Sequence, residues 1–320
     1  MQKLFMFSGQ GAQYEGMGRD LAQEVPAAKA IFDEASEILG YDILKLTGEQ
    51  LTQTEFAQPA TFTHSLAAWH ALPAEVRHGG GLAGFSLGEY SALVASGMLT
   101  FSEGLALINE RAVSMQDACE QNPGVMYAII GLEDKDVEHL LLEDRYKDLV
   151  WPVNYNAPGQ LVIAGDREAA EAAAAELKEK GAKLTSKLNV SGAFHTVLME
   201  PAARRTAAWA EQNIATLNLT DHIIYSNSDG HRLPLLSTTN LPAYLARHMT
   251  SPVRWHQSIN QAAGDGGVFF IELGPGKVLR KLIARIIRGA EAYNVDTASD
   301  YRDLLKVSAL YDHSHEPTSL

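Results

Sequence analysis

Between residues 79 and 95 a strand must turn almost directly into a helix, with a serine at the turn. The segment reads Gly-Gly-Gly-Leu-Ala-Gly-Phe-Ser-Leu-Gly-Glu-Tyr-Ser-Ala-Leu-Val-Ala. Three glycines lead into a short apolar stretch at 82–85, and residues 87–95 have helical composition. Gly84-Phe85-Ser86-Leu87-Gly88 satisfies G-x-S-x-G in the strand-to-helix setting that gives this pattern its meaning. The two glycines let backbones pass closely around a sharp turn, which exposes the serine hydroxyl. Such a unit belongs in a parallel sheet covered by helices, so this one segment already points to an α/β fold.

The rest of the chain keeps that alternation, with one interruption. Residues 4–7 read as a buried strand, followed by a loop holding Gly9, Gly11, Gly16 and Gly18 and an amphipathic stretch at 21–25. Helical segments follow at 27–39 and 64–72. From Gly124 the order becomes strand 125–130, helix 135–142, two strands within 151–164 broken at Asn156-Ala157-Pro158-Gly159, helix 168–180 and strand 183–190. That order, β-α-β-β-α-β, is that of a ferredoxin-like unit. A helix at 201–213, a strand at 223–226, a helix end at 244–248 and a strand at 268–272 then restore the α/β pattern. Gly274-Pro275-Gly276 ends that strand and releases a Lys/Arg-bearing helix through residue 288. The expected organisation is a large α/β domain in two pieces, 1–123 and 197–310, a ferredoxin-like small domain at 124–196, and a frayed tail at 311–320.

Composition excludes several functions. With 39 acidic against 26 basic side chains the formal charge is −13, which argues against binding nucleic acid by neutralising phosphates. It leaves room for a local basic patch facing an acidic partner. The single cysteine, Cys119, excludes an internal disulfide and a multi-cysteine zinc site, and fits a reducing compartment. Residues 1–7 are too short an apolar run for a signal peptide or a spanning helix. A soluble, cytoplasmic chain with no membrane partner is expected.

A serine at neutral pH needs a base within hydrogen-bond reach, and histidine is the usual one. Of eleven histidines, His195 stands out because Ser191-Gly192-Ala193-Phe194-His195 follows the last strand of the small unit, where the chain re-enters the large one. Clefts between domains favour sites. His248 and His256 are rivals, because enzymes of the α/β-hydrolase type keep their histidine late in the chain. Arg111 lies beside the apolar stripe Leu105, Ile108, Ala112 and Met115 of a helix at 101–120. An arginine there needs an anion, which spacing leaves open between a substrate carboxylate and an internal glutamate such as Glu89.

Five ordered blocks carry a resemblance: Gly9-Gln10-Gly11-Ala12-Gln13; residues 84–93 from Gly84 through Glu89-Tyr90-Ser91-Ala92-Leu93; Asn154-Tyr155-Asn156-Ala157-Pro158-Gly159-Gln160; Gly192-Ala193-Phe194-His195; and Glu272-Leu273-Gly274-Pro275-Gly276-Lys277. Together they resemble the malonyl-CoA:acyl-carrier-protein transacylases, from about residue 3 to residue 290. The resemblance implies an α/β-hydrolase-like large domain with an inserted ferredoxin-like small domain. It implies that Ser86 is acylated, that His195 is its base and acid without a carboxylate third member, and that the Gln10 and Leu87 amides form the oxyanion hole. Arg111 would grip the malonyl carboxylate, and Phe194 would crowd an α-methyl branch. Three positions depart from the family pattern: Ser8 replaces a common proline, Phe85 a frequent histidine, and His248 a glutamine whose backbone carbonyl orients the catalytic histidine. His248 is accordingly expected among the substrate-binding residues, with a charge that could change near neutrality.

The implied function is transfer of a malonyl group from malonyl-CoA to a phosphopantetheinylated acyl carrier protein of fatty-acid synthesis, by a monomer with no bound cofactor or metal. The same site would serve a free-standing acyltransferase of a polyketide synthase. A thioesterase or other hydrolase of this fold, and a non-catalytic subunit that docks carriers, are the alternatives. Arg280, Lys281 and Arg285 are the candidate carrier-docking cations.

Overall fold

The computed structural model describes residues 2–266 and 268–313. In chain order its strands are β1 (Gln2–Phe7), β2 (Gly81–Gly84), β3 (Val125–Ile130), β4 (Val150–Ala157), β5 (Gln160–Gly165), β6 (Leu184–Lys187), β7 (Ile224–Tyr225), β8 (Val268–Leu273) and β9 (Ala292–Val295). They form two sheets, ordered β7-β2-β1-β8-β9 and β4-β5-β3-β6.

Every pairing in the five-stranded sheet is parallel. Residues 4–7 of its central strand β1 are apolar without alternation because both faces are covered there. Phe5 and Phe7 meet Leu66 and Trp69 of the helix Thr54–Ala71, whereas Leu4 and Met6 pack with Trp255, Ile259 and Phe270 on the other face. The carboxyl ends of β1, β2 and β8 therefore lie side by side, and the loops that leave them begin at Ser8, Phe85 and Gly274.

The four-stranded sheet is antiparallel throughout, and counted within itself its order is second, third, first, fourth. This is the expected ferredoxin-like arrangement. Period-two alternation divides its strands between two tasks. Ile129, Leu161 and Ile163 point to the helices Asp134–Leu141 and Arg167–Glu179, while Met126, Val162 and Ala164 face Met115 and Phe194. The second face thus binds the small sheet to the helix Phe101–Gln121. That helix starts at a reciprocal cap: Thr100 Oγ1 accepts from the Glu103 amide at 3.2 Å, and the Glu103 carboxylate accepts from the Thr100 amide at 2.9 Å. A cap of this kind contributes about 1 kcal/mol.

The structure departs from the sequence reading in several places, and the helix expected at 64–72 begins ten residues earlier, as Thr54–Ala71. The strand expected at 183–190 ends at Lys187, and Leu188, Asn189 and Val190 turn away to line a cavity. The helix end expected at 244–248 is the latter part of a helix, Leu241–Thr250, with proline in its first turn. The helix Trp255–Gly264, β9 and the helix Ala298–His313 were not anticipated. Of the tail expected at 311–320, residues 311–313 are helical and residues 314–320 lie outside the described residues. Among the described residues no helix is long and apolar enough to cross a membrane.

Candidate active site

Ser86 occupies the turn between β2 and the helix Gly88–Ala95 with φ 51°, a left-handed conformation that costs a non-glycine residue about 1 kcal/mol or more. The glycines on either side are required sterically. A Cβ at Gly84 would strike the Glu89 amide, and one at Gly88 would strike the Phe7 carbonyl. Backbone bonds close the turn, from Gly88 N to Phe85 O at 3.0 Å and from Glu89 N to Ser86 O at 3.1 Å. The serine hydroxyl is thus presented beyond the end of the parallel sheet by contacts that only this glycine spacing permits.

His195 follows β6 and also adopts positive φ, 63°. Its Nε2 lies 2.8 Å from Ser86 Oγ, and its Nδ1 lies 3.0 Å from the Ser251 carbonyl oxygen. The carbonyl can only accept, so Nδ1 carries the proton and Nε2 is left to accept from the serine. Burial, and secondarily the nearby Arg111 charge, lower the His195 pKa to about 4. The imidazole is therefore neutral at pH 7, as a base must be before it takes a proton.

Arg111 comes from the middle of the helix Phe101–Gln121 and is only 1% exposed. Its Nη2 donates to Ser86 Oγ at 3.2 Å, its Nη1 donates to Gln58 Oε1, and its guanidinium carbon sits 5.1 Å from the centre of the Tyr90 ring. None of these partners is an anion. Glu89, the internal partner considered from sequence, is engaged elsewhere: Tyr244 donates to one of its oxygens and Asn227 to the other. Burial raises the Glu89 pKa to about 7. A buried cation without a counter-ion, in contact with the serine hydroxyl, is a ready receptor for a small carboxylate.

These groups border a cavity of about 330 Å³ between the two sheets. Gln10, Phe85, Asn154 and Val278 lie on its wall, as do Met115, Met126 and Phe194. The Gln10 and Leu87 amides donate to no acceptor among the described residues, whereas the Gln10 side chain is tied to Thr54 at 3.2 Å. Two free N–H groups, one immediately after the serine and one in the loop beyond β1, are what a developing oxyanion requires. A wider depression beside Arg19 and Tyr41 holds Ser36 and three carboxylates but no histidine.

His248 is not on the cavity wall. It projects from the helix Leu241–Thr250 behind the site, with its ring 5.3 Å from that of Tyr90 and its Nε2 3.8 Å from Glu89. Burial, with Arg111 and His195 next in weight, lowers its pKa well below the ordinary value, so it stays neutral through the physiological range rather than switching there. The carbonyl that holds His195 at 3.0 Å is that of Ser251, three residues on; the His248 backbone adds a smaller interaction. His256 lies apart from Ser86, beside Tyr155 and a separate surface depression. Gln58 and Ser251 escaped the sequence reading. Gln58 gave no signal, since its helix also carries Glu55, Thr61, Thr63, His64 and Ser65, and a backbone acceptor leaves no signal at all.

The acyl transferase domain model matches residues 4–302 of the chain. Over 317 residues the chain is 38% identical to the malonyl CoA-acyl carrier protein transacylase of Haemophilus influenzae, covering 94% of this chain and 97% of that protein. Among solved structures, the malonyl CoA-acyl carrier protein transacylase of Clostridium perfringens superposes with a TM-score of 0.90 at 32% identity, over 99% of this chain and 100% of the other. A malonyl-transacylase solved in complex with a type II polyketide synthase acyl-carrier protein superposes with a TM-score of 0.88 at 34% identity, over 96% and 100%.

Proposed function

The chain belongs to the acyl transferase family, and from that premise we propose that it carries a malonyl group on Ser86 from coenzyme A to the phosphopantetheine thiol of an acyl carrier protein. One observation carries the malonyl assignment: the Arg111 guanidinium is buried without an anionic partner and lies 3.2 Å from the hydroxyl that would be acylated. A carboxylate one methylene away from the reacting carbonyl fits that short span, and its charge satisfies the arginine. Phe194 narrows the wall beside it and disfavours a branch on that methylene.

In the first half-reaction Ser86 Oγ attacks the thioester carbon while its proton passes to His195 Nε2. The Gln10 and Leu87 amides hold the oxyanion. The carbon–sulfur bond then breaks, and the departing thiolate takes the proton from the imidazolium. In the second half the carrier thiol gives its proton to Nε2 and attacks the ester carbon. Ser86 Oγ leaves and recovers the proton. The Ser251 carbonyl holds the Nδ1 proton throughout, which keeps Nε2 facing the serine in both directions. Each amide of an oxyanion hole is worth roughly 10²–10³ in rate.

The acceptor assignment draws on charge. Residues 277–288 carry Lys277, Arg280, Lys281, Arg285 and Arg288 with no acidic residue among them, in a chain of net charge −13. Val278 and Leu279, at the start of the helix Val278–Ile286, line the cavity, so an acidic carrier delivering its thiol to Ser86 would meet this basic helix beside it.

Intact-mass measurement tests the proposal. Brief exposure to malonyl-CoA should add one malonyl group to the parent and none to Ser86→Ala. Addition of phosphopantetheinylated carrier should then move that group onto the carrier. An adduct that persists in Ser86→Ala, or a parent that forms none, overturns it.

A further inference from the structure

The dyad and Arg111 leave unexplained a buried polar cluster directly behind the nucleophile, and its geometry is specific. Asn227, 1% exposed, follows β7 and is far from Ser86 in sequence. Its Nδ2 donates to the Gly84 carbonyl at 2.8 Å and also to Glu89 Oε2, while its backbone amide donates to the same Glu89 oxygen at 2.7 Å. Gly84 lies two residues before Ser86 and Glu89 three residues after it. One carboxamide therefore bonds the chain on both sides of a residue held at positive φ.

The cluster extends toward the base. Tyr244 donates to the other Glu89 oxygen and shares a hydrogen bond of 2.8 Å with Ser226 Oγ. Tyr244 belongs to the helix Leu241–Thr250, and the next residue, Ser251, supplies the carbonyl that orients His195. The Asn227 carbonyl in turn accepts from the Arg254 amide at 2.7 Å, which fixes the segment just beyond Ser251. Nucleophile and base are thus anchored to one buried unit.

We infer that Asn227, braced by Glu89 and Tyr244, is a positioning residue for the acyl transfer proposed above: it clamps both flanks of Ser86 and keeps Oγ within hydrogen-bond distance of His195 Nε2. A role confined to fold stability would affect folding alone. A clamp that sets the reacting geometry affects the rate at saturation while leaving substrate binding intact, because Arg111 and the cavity wall are untouched. Glutamine in place of Glu89 retains the clamp. Its carbonyl still accepts from Asn227, and its amide can donate to the Tyr244 oxygen while Tyr244 donates to Ser226.

The test compares acylation by malonyl-CoA, followed by rapid quench and intact mass, in the full-length parent, Asn227→Ala, Asn227→Ser, Glu89→Ala and Glu89→Gln. Val137→Ala, in the separate core of the small sheet, controls for lost stability. Asn227→Ala, Asn227→Ser and Glu89→Ala should lower the saturating rate about 10- to 100-fold, with half-saturation changed by less than about two-fold. Glu89→Gln should stay within roughly five-fold of the parent, and Val137→Ala should acylate at the parental rate. Equal rates in the Asn227 variants and the parent overturn the inference, as does a loss that appears only in half-saturation. Equal losses in Glu89→Gln and Glu89→Ala overturn it even if the Asn227 variants fail to fold. A parent that forms no adduct at all sinks the acyl-transfer reading instead.

Discussion

Replacing Arg111 with alanine should abolish the preference for malonyl over acetyl groups while leaving acetyl transfer nearly intact. The guanidinium bonds to Gln58 and Ser86, both neutral, so its charge is left for the substrate carboxylate. When the malonyl carboxylate binds, removal of the arginine would leave a buried, unpaired anion, a loss of about 3–5 kcal/mol. At about 1.4 kcal/mol per factor of ten, kcat/KM for malonyl-CoA falls roughly 150- to 4000-fold. Acetyl-CoA has no carboxylate to lose. Its rate should change by less than about ten-fold, since the Ser86–His195 bond and both amides remain. Arg111→Lys keeps the charge but not the planar fork, and should fall between the two. The assay is quenched-flow acylation with each thioester, with unfolding followed alongside. Equal losses for malonyl and acetyl groups would show that Arg111 is scaffolding for Ser86, and an unchanged malonyl rate would remove it from recognition altogether.

Three further outcomes follow from the same geometry. Gly88→Ala drives a methyl group into the Phe7 carbonyl, so urea unfolding should register a loss of about 1–3 kcal/mol, and more if the elbow cannot shift. The acid limb of kcat/KM for acylation should follow His195 near its lowered value of about 4, because the neutral imidazole is the active form; Arg111→Ala, which removes the second cause of that lowering, should move the limb upward. The sign for stability is the same. The unfolded chain takes up this proton near 6.5 and the folded one only near about 4, so the His195 contribution is lost as pH falls through that window. Lys281→Glu with Arg285→Glu should slow transfer to the carrier and weaken its salt dependence, while self-acylation stays at the parental rate; an equal effect on both steps would place the docking surface elsewhere.

Local signals in the sequence carried well where the fold makes them local. The elbow was legible because Gly84 and Gly88 are fixed by steric limits within a few residues of Ser86, and the small unit because the turn at Asn156-Ala157-Pro158-Gly159 and the alanine- and glutamate-rich helix mark its elements locally. Contacts across large sequence separations were not legible. Gln58 and Arg111 are 53 residues apart and Asn227 and Glu89 are 138 apart, and a polar residue gives no sign of the distant partner it will meet. His248 is expected among the substrate-binding residues because it stands where the family has a glutamine whose backbone carbonyl orients the catalytic histidine. The helix Leu241–Thr250 turns its ring toward Glu89 and Tyr90 instead, and Ser251 supplies the acceptor. The strand β9 was missed because four residues, Ala-Tyr-Asn-Val, are too few to establish a period, and its pairing with β8 is supplied by the sheet.

The most direct test of the account is the fate of the isolated malonyl-enzyme. After excess malonyl-CoA is removed, the adduct is divided among buffer, carrier lacking phosphopantetheine, and carrier bearing it, and the malonyl group is followed by mass over time. The account predicts that the group stays on Ser86 in the first two and moves promptly to the thiol in the third. Release to water at one rate in all three would contradict it and make the protein a hydrolase.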